Sequence, residues 1–144
     1  MPNRVVHFEI EAKDGKRAVK FYENAFGWKM LKQGEEYGGY IVVETGKNTG
    51  KMEDIGINGG IFTTHKKKFN AYRCVVGVED IDQAIKKVKA AGGKVFDKNK
   101  TPDGKDLGEK MEIPGVGIWA LCTDTEGNEF SIMQPFPGEW MPKE

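Results

Sequence analysis

The sequence has no excess charge of either sign, and it contains few cysteines and histidines. Its 144 residues include 22 basic and 22 acidic side chains, two cysteines and two histidines. Balanced charge creates no strong field for attracting nucleic acid or an anionic membrane surface. We therefore expect neither of these partners.

The two cysteines, Cys74 and Cys122, lie far apart in the chain, each within a predicted strand and without a CxxC partner. This is not the pattern of a disulfide-rich scaffold or of a zinc site. We expect two buried, reduced thiols that behave as small hydrophobic side chains. A disulfide or a reactive nucleophile is the alternative.

Long apolar runs are also lacking. No stretch is long enough to span a bilayer, and the N-terminus begins a strand without an apolar signal core. We therefore expect a cytoplasmic location. Hydrophobic residues make up 38% and charged residues 31% of the chain, as in soluble globular proteins, and the length suits one domain over residues 1–144.

What the sequence does contain is an internal repeat. Arg4–Lys29 and Ala71–Phe96 match when the first is shifted by 66 positions. The coincident pairs lie at the start, inner face and end of a predicted helix: Asp14 with Asp80, Ala18 with Ala84, Lys20 with Lys86, Ala25 with Ala91, and Gly27 with Gly93. The protein therefore reads as two copies of one supersecondary unit.

The first unit is predicted over about residues 4–65. Residues 4–12 alternate, with an apolar row starting at Val6 and a polar row containing His7 and Glu9. Asp14 is a plausible N-cap for an amphipathic helix that Gly27 ends. Strands are predicted near residues 28–33, 40–45 and 58–64.

The second unit is predicted over about residues 71–135, followed by an irregular, proline-containing tail at 136–144. Asp80 caps its helix, Gly92 and Gly93 end it, and strands follow at 94–98, 117–123 and 128–134. The glycine-rich stretch 99–115 exceeds the usual loop length and is predicted to be a lid or disordered.

These units predict an α+β fold: tandem βαβββ units that form a curved mixed sheet around a cleft, with the helices on its outer face. The polar rows of the first strands are expected to point into the cleft.

Four segments resemble those of the vicinal oxygen chelate superfamily, which includes glyoxalase I, bleomycin-resistance proteins and extradiol dioxygenases. They are FYENAFGW, GGIF, VEDIDQAIKKVKAAGGKV and DTEGNEFSIMQP. The resemblance extends from Arg4 to Pro135. The resemblance implies that, in metal-dependent members, ligands from the first and last strands of each unit converge in the cleft.

Carried over by this resemblance, the four ligand positions are His7, Gly60, Arg73 and Ser131. Only His7 matches a family ligand, because glycine has no donor side chain and arginine stays protonated. The resemblance makes a divalent metal conceivable as a cofactor, but the ligand set is incomplete. We therefore assign no metal site.

The charged candidates for ligand binding are His7, Glu9 and Arg73. Arg73 would bind a carboxylate, phosphate or enolate, while His7 or Glu9, the catalytic candidates, would exchange a proton. Alternatively, Arg73 and Glu9 form an internal salt bridge, with His7 hydrogen-bonded, and bind nothing.

Three further candidates lie on the late strands. Ser131 would donate a hydrogen bond to a ligand or simply make room. Trp119 and Met133 would line an apolar wall of the pocket, or else fill the core.

Three functions follow. The first is metal-independent binding of a small anionic or oxygenated molecule. The second is a glyoxalase-like lyase or isomerase, or less favourably a dioxygenase, acting on a small oxygenated metabolite; whether the protein is an enzyme stays open. The third is a structural module with a filled cleft. We also expect a homodimer, because open sheets leave edges that pairing would cover.

Overall fold

A computed structural model describes residues 3–32, 39–47, 49, 56–63 and 72–137. By its internal contacts the chain divides into two compact units. The first is residues 6–74, and the second, among the residues described, is residues 75–137 together with 3–5.

The first unit contains one helix and a mixed sheet. In chain order its elements are β1 (Arg4–Ala12, whose first two residues are grouped with the second unit), α1 (Gly15–Phe26), β2 (Lys29–Lys32), β3 (Ile41–Glu44), β4 (Gly59–Thr63) and the start of β5 (Tyr72–Gly77). The strand order is β2-β3-β4-β1, in which β1 and β4 are parallel and the other pairs antiparallel.

The second unit repeats this arrangement. Its elements are the end of β5, α2 (Ile81–Ala90), β6 (Lys94–Val95), β7 (Asn99–Lys100), β8 (Asp106–Gly108), β9 (Met111–Ile113), β10 (Gly117–Thr123) and β11 (Glu129–Pro135). The order β6-β10-β11-β5, with β11 and β5 parallel, matches that of the first unit strand for strand. The predicted α+β fold of tandem βαβββ units is confirmed.

Both helices begin where the repeat predicts. The Asp14 carboxylate accepts a hydrogen bond from the Arg17 amide at 3.0 Å, and the Asp80 carboxylate accepts one from the Gln83 amide at 3.1 Å. Each aspartate thereby satisfies one of the free N–H groups of a first helical turn. Helix α1 ends at Gly27, whose φ of 69° lies in the left-handed region that glycine adopts without strain.

Each unit buries an apolar cluster between its helix and one face of its sheet. In the first unit the buried members are Ile10, Ala12, Val43 and Ile61, and the partly buried ones include Ala18, Val19 and Tyr22 of α1. In the second unit Ile81 and Ile85 of α2 pack against Ala120, Cys122 and Ile132. These clusters leave the opposite sheet face of each unit for other residues.

The stretch 99–115 is ordered, which contradicts the prediction of a disordered loop, while the alternative that it acts as a lid stays a prediction. It contains three short strands: β7 and β8 pair with each other, and β9 pairs with β10. Asn99 is buried and donates from Nδ2 to the Gly108 carbonyl at 2.9 Å. These strands were not predicted because two or three residues, among many glycines and charged side chains, are too few to show a period-two alternation.

The prediction that both cysteines are buried is wrong for Cys74. Cys122 is buried within the second unit's apolar cluster, but Cys74 is exposed. Cys74 lies where the chain passes from the first unit to the second and belongs to neither cluster. A short apolar strand segment therefore did not guarantee burial for each of its residues.

The described residues do not include the basic segment at 65–68 or the end of the tail after residue 137. Neither helix in the described part of the chain is long and apolar enough to cross a membrane.

Replacing Ile61 by alanine tests the first unit's core. Ile61 is 1% exposed, so Ile61→Ala is expected to lower the free energy of unfolding by about 2–5 kcal/mol, because it removes buried methyl groups and leaves a cavity. Ile57→Ala is the matched control: this side chain is 37% exposed, and its loss should reduce stability by less than about 1 kcal/mol. Urea unfolding followed by circular dichroism measures both, and equal losses would contradict the assignment.

Candidate ligand-binding site

The candidate site lies on the first unit's sheet face opposite α1. Along β1, Phe8 and Ile10 pack in the apolar cluster under the helix. Because successive side chains of a strand point to opposite faces, His7, Glu9 and Glu11 share the other face. The predicted separation of the two rows of β1 is confirmed by this packing.

A buried ion pair forms the centre of this face. Arg73 Nε donates to Glu9 Oε1 at 3.1 Å, and the Arg73 and Glu9 side chains are only 9% and 10% exposed. The Arg73 guanidinium carbon also lies 4.4 Å from the centre of the Phe62 ring, a cation–π contact. Burying charges is costly unless they are paired, so these contacts lock both side chains together.

His7 is hydrogen-bonded to a residue that the sequence analysis did not single out. Its Nε2 lies 2.8 Å from the Tyr40 hydroxyl, and the two rings are stacked with centroids 6.4 Å apart. Burial lowers the pKa of His7, and the nearby Glu9 carboxylate offsets only part of this effect. The imidazole is therefore neutral near pH 7.

Tyr40 itself is held as a neutral phenol. Burial raises the pKa of Tyr40 far above its usual range, and the charge of Glu9 and a hydrogen bond with that carboxylate raise it further, while Arg73 acts in the opposite direction. Tyr40 lies just before β3 and therefore belongs to a predicted strand, but only the pairing of β3 with β4 reveals its place beside Gly60.

Gly60 provides the space that Tyr40 occupies. A Cβ atom added at Gly60 would overlap the Tyr40 hydroxyl and ring. Any side chain at this position would therefore have to displace the phenol.

The described residues of the first unit do not fit a divalent metal. Of the positions implied by the family resemblance, Gly60 offers no donor and its side-chain space is filled by Tyr40, while Arg73 is a cation paired with Glu9. Across the part of the chain that the structure describes, no group of three or more His, Cys, Asp or Glu side chains is placed to hold a metal ion. This donor set is suited to hydrogen bonding and ion pairing rather than to coordination.

Strand register supports the correspondence between Gly60 and Ser131. Glu9 of β1 is paired with Gly60 of β4, and Val75 of β5 is paired with Ser131 of β11. Val75 is 66 positions after Glu9, the same shift that relates the two copies of the repeat. Gly60 and Ser131 thus hold equivalent places in the two units.

The other sequence candidates lie in the second unit. Trp119 and Met133 are cross-strand partners of β10 and β11, on the sheet face opposite α2, and Ser131 shares that face. The Ser131 hydroxyl is fully buried and has no hydrogen-bond partner among the residues described. Whether these three residues and His7, Glu9 and Arg73 bind one ligand stays a prediction.

The second unit also carries a cavity of about 320 Å³. It is lined by Gly77, Val78, Glu79, Gln134, Pro135 and Pro137, none of which was a sequence candidate. Gln134 contributes to the start of α2, since its Oε1 accepts from the Ile81 amide at 2.9 Å. This contact gives the side chain a structural role at the cavity wall.

The lowered pKa of His7 makes a prediction about acid stability. In the unfolded chain histidine titrates near pH 6.5, whereas folded His7, faced by Glu9, Tyr40 and Arg73, resists protonation. His7 thus contributes stability that is complete above about pH 6.5 and is lost as the pH falls below it. Between pH 7.5 and 5, His7→Gln should lose less free energy of unfolding than the wild type.

His65→Gln is the control, because His65 is the other histidine in the sequence. Urea titrations at several pH values measure the difference between each variant and the wild type, which cancels the contribution of the carboxylates common to all. An identical pH dependence in wild type and His7→Gln would contradict a depressed pKa at His7.

Comparison with known proteins supplies the family. The model of the Glyoxalase/Bleomycin resistance protein/Dioxygenase superfamily matches residues 4–132. A protein of Mycobacterium bovis named as a glyoxylase, CFP32, is 32% identical over 68 residues, which are 47% of this chain. The match spans only 22% of the length of that relative.

Solved structures share the fold at low sequence identity. Methylmalonyl-CoA epimerase from Mycobacterium tuberculosis has a TM-score of 0.62 and 11% identity, over 92% of this chain and 88% of its own. A variant of Streptomyces coelicolor methylmalonyl-CoA epimerase in complex with 2-nitronate-propionyl-CoA has a TM-score of 0.61 and 13% identity, over 96% and 99%. The family match over most of the chain and these likenesses agree with the resemblance of the sequence segments: the protein belongs to the glyoxalase/bleomycin resistance protein/dioxygenase superfamily.

Proposed function

We propose that this protein binds a small, anionic or oxygenated molecule on the polar sheet face of its first unit, without a metal ion. The observation that carries the proposal is the buried cluster of Glu9, Arg73, His7 and Tyr40, in which His7 and Arg73 hold two of the positions where the family resemblance implies metal ligands. A fixed guanidinium takes the place of a cation there.

Physical chemistry favours a use for such a cluster. Replacing a buried ion pair by apolar side chains of similar size is often neutral or stabilising, so stability alone gives little reason to keep one. A guanidinium, a neutral imidazole and a phenol are together suited to recognising a carboxylate or another oxygen-rich group. The solved epimerases, whose complexes contain CoA esters, give a precedent within the fold for ligands of this class.

The contacts of the purely structural alternative are also present. Arg73 and Glu9 do form an internal salt bridge, and His7 is hydrogen-bonded. The two interpretations differ in what happens on adding an anionic molecule, since only a binding site responds to it.

Removing both charges together tests the proposal. Glu9→Gln/Arg73→Gln keeps a polar side chain at both positions and leaves no unpaired buried charge, whereas Arg73→Ala alone would leave Glu9 unpaired and destabilise the fold. Malonate and methylmalonyl-CoA are the probes, measured by isothermal titration calorimetry at pH 7.5. We expect the double variant to bind at least about tenfold more weakly, because a charge-assisted hydrogen bond contributes about 1.5–3 kcal/mol.

Arg17→Ala is the matched control, because the Arg17 side chain is 77% exposed and lies at the start of α1. Arg17→Ala should bind both probes with the affinity of the wild type. EDTA should leave the affinity of both proteins unchanged. Equal binding by the double variant and the wild type, or a requirement for a metal ion, would refute the proposal.

A second candidate is a glyoxalase-like lyase or isomerase acting on a small oxygenated metabolite. It is favoured by the neutral His7 imidazole hydrogen-bonded to Tyr40, because a histidine that is unprotonated near pH 7 can accept a proton. Exchange of the α-proton of methylmalonyl-CoA in D₂O, followed by proton NMR, separates catalysis from binding. Binding without exchange would favour the first proposal.

The homodimer expected from the sequence remains part of this proposal. β2 ends the strand order of the first unit, and Leu31 on that strand is 40% exposed. An open edge with an apolar side chain is a surface that pairing would cover. Light scattering after size exclusion at micromolar concentration is expected to give the mass of two chains, and the mass of one chain would count against it.

A further inference from the structure

The side-chain space of Gly60 lies between two neighbouring strands on the polar sheet face. Gly60 of β4 is paired with Glu9 of β1 on one side and with Val42 of β3 on the other. Tyr40, two residues before Val42, places its hydroxyl and ring where a Cβ atom at Gly60 would lie. The phenol therefore occupies the room of a side chain at position 60.

A carboxylate side chain at position 60 would complete a set of metal ligands. Adjacent strands lie about 4.8 Å apart, so this carboxylate would stand beside Glu9, the partner of Gly60 in the pairing of β1 with β4. His7 lies two residues before Glu9 on the same face of β1, roughly 7 Å away. One imidazole and two carboxylates are ligands that zinc and manganese ions accept. The described polar face is therefore one side chain short of such a set.

Tyr40 excludes that side chain by its volume. The Tyr40 hydroxyl lies 2.8 Å from His7 Nε2, and the two rings are stacked with centroids 6.4 Å apart. These two contacts hold the phenol over Gly60. An ion between positions 7, 9 and 60 would need the volume that the phenol fills.

Arg73 opposes a cation by its charge. Its Nε donates to Glu9 Oε1 at 3.1 Å, and the side chains of Arg73 and Glu9 are only 9% and 10% exposed. A guanidinium keeps its positive charge and has no lone pair to offer a metal. Because like charges repel more strongly away from water, a divalent ion bound at Glu9 would have to displace the guanidinium.

We infer that Tyr40 and Arg73 are the specificity-determining residues that close this face to divalent metal ions, Tyr40 by its volume and Arg73 by its charge. The ligands that the face admits are then those recognised through hydrogen bonds and ion pairs with their oxygen atoms. This consequence for the ligand rests on the proposed function, whereas the exclusion of a metal ion does not.

Opening the face to a metal ion tests this exclusion. The triple variant Tyr40→Ala/Gly60→Glu/Arg73→Gln, called the opened variant, removes the phenol and the guanidinium and adds the missing carboxylate. We expect it to bind a single Zn²⁺ or Mn²⁺ ion. At a metal concentration about 100 times the dissociation constant, its midpoint of thermal unfolding should rise by roughly 5–10 °C. The wild type should show neither response in calorimetry or thermal unfolding.

Four matched variants show where the ion binds and what excludes it. Changing Gly60 to glutamine instead of glutamate keeps the size of the side chain but removes the carboxylate, and adding His7→Ala removes the imidazole. Each should weaken metal binding at least about tenfold relative to the opened variant. Gly60→Glu/Arg73→Gln, which keeps Tyr40, and Tyr40→Ala/Gly60→Glu, which keeps Arg73, should weaken it by a similar factor.

Three results would overturn the inference. A folded opened variant that binds no ion would do so, as would a wild type that binds one ion per chain or an opened variant whose affinity is unchanged by His7→Ala. Affinity that is unchanged when Tyr40 or Arg73 is kept would overturn the role of that residue.

If the opened variant does not fold, a double-mutant cycle still tests the exclusion by volume. Gly60→Ala should lower the thermal midpoint of the wild type, because its Cβ would overlap the phenol, and should lower that of Tyr40→Ala much less. Gly59→Ala is the matched control, since its Cβ would overlap Phe8 instead and should cost the same in both proteins. Equal losses for Gly60→Ala in both would overturn the inference.

These measurements contain no anionic probe, so their outcome is independent of the calorimetry with malonate and methylmalonyl-CoA. If the wild type binds neither probe but the opened variant takes a metal ion, the proposed function fails while the exclusion by Tyr40 and Arg73 stands. If the wild type binds malonate and the folded opened variant takes no ion, the exclusion fails alone.

Discussion

The ion pair between Arg73 and Glu9 is the constraint on which the polar face of the first unit depends. Both side chains are about nine-tenths buried, so water cannot solvate either charge if its partner is removed. The pair also bridges residues that are 64 positions apart, joining β1 to the start of β5 within the first unit. Phe62 supports the guanidinium through a cation–π contact.

The polar face of the first unit differs from a metal centre in the chemistry of its side chains. A metal centre polarises an oxygenated ligand through open coordination positions, which requires several unprotonated donors. In the first unit a guanidinium, a neutral imidazole and a phenol occupy the corresponding face, and all of them act through hydrogen bonds. The superfamily membership therefore establishes the fold, whereas the chemistry depends on these side chains.

Much of the fold was predictable because its signals are local. The caps at Asp14 and Asp80 and the helix end at Gly27 depend on residues within one turn, and all three are found as predicted. The strands in 99–115 and the exposure of Cys74 were not predicted. Both depend on which strands lie beside a segment, and this information is not contained in the segment itself.

For the candidate site, the sequence alone determined the repeat, the two faces of the first strand and the register that relates Arg73 to His7. Period-two alternation and a constant shift are enough to establish these. Only the tertiary structure decided that Tyr40 would fill the space at Gly60 and bond His7. That contact depends on the pairing of β3 with β4, in which Val42 lies beside Gly60. A strand pairing is selected by packing over the whole sheet rather than by the residues of either strand alone.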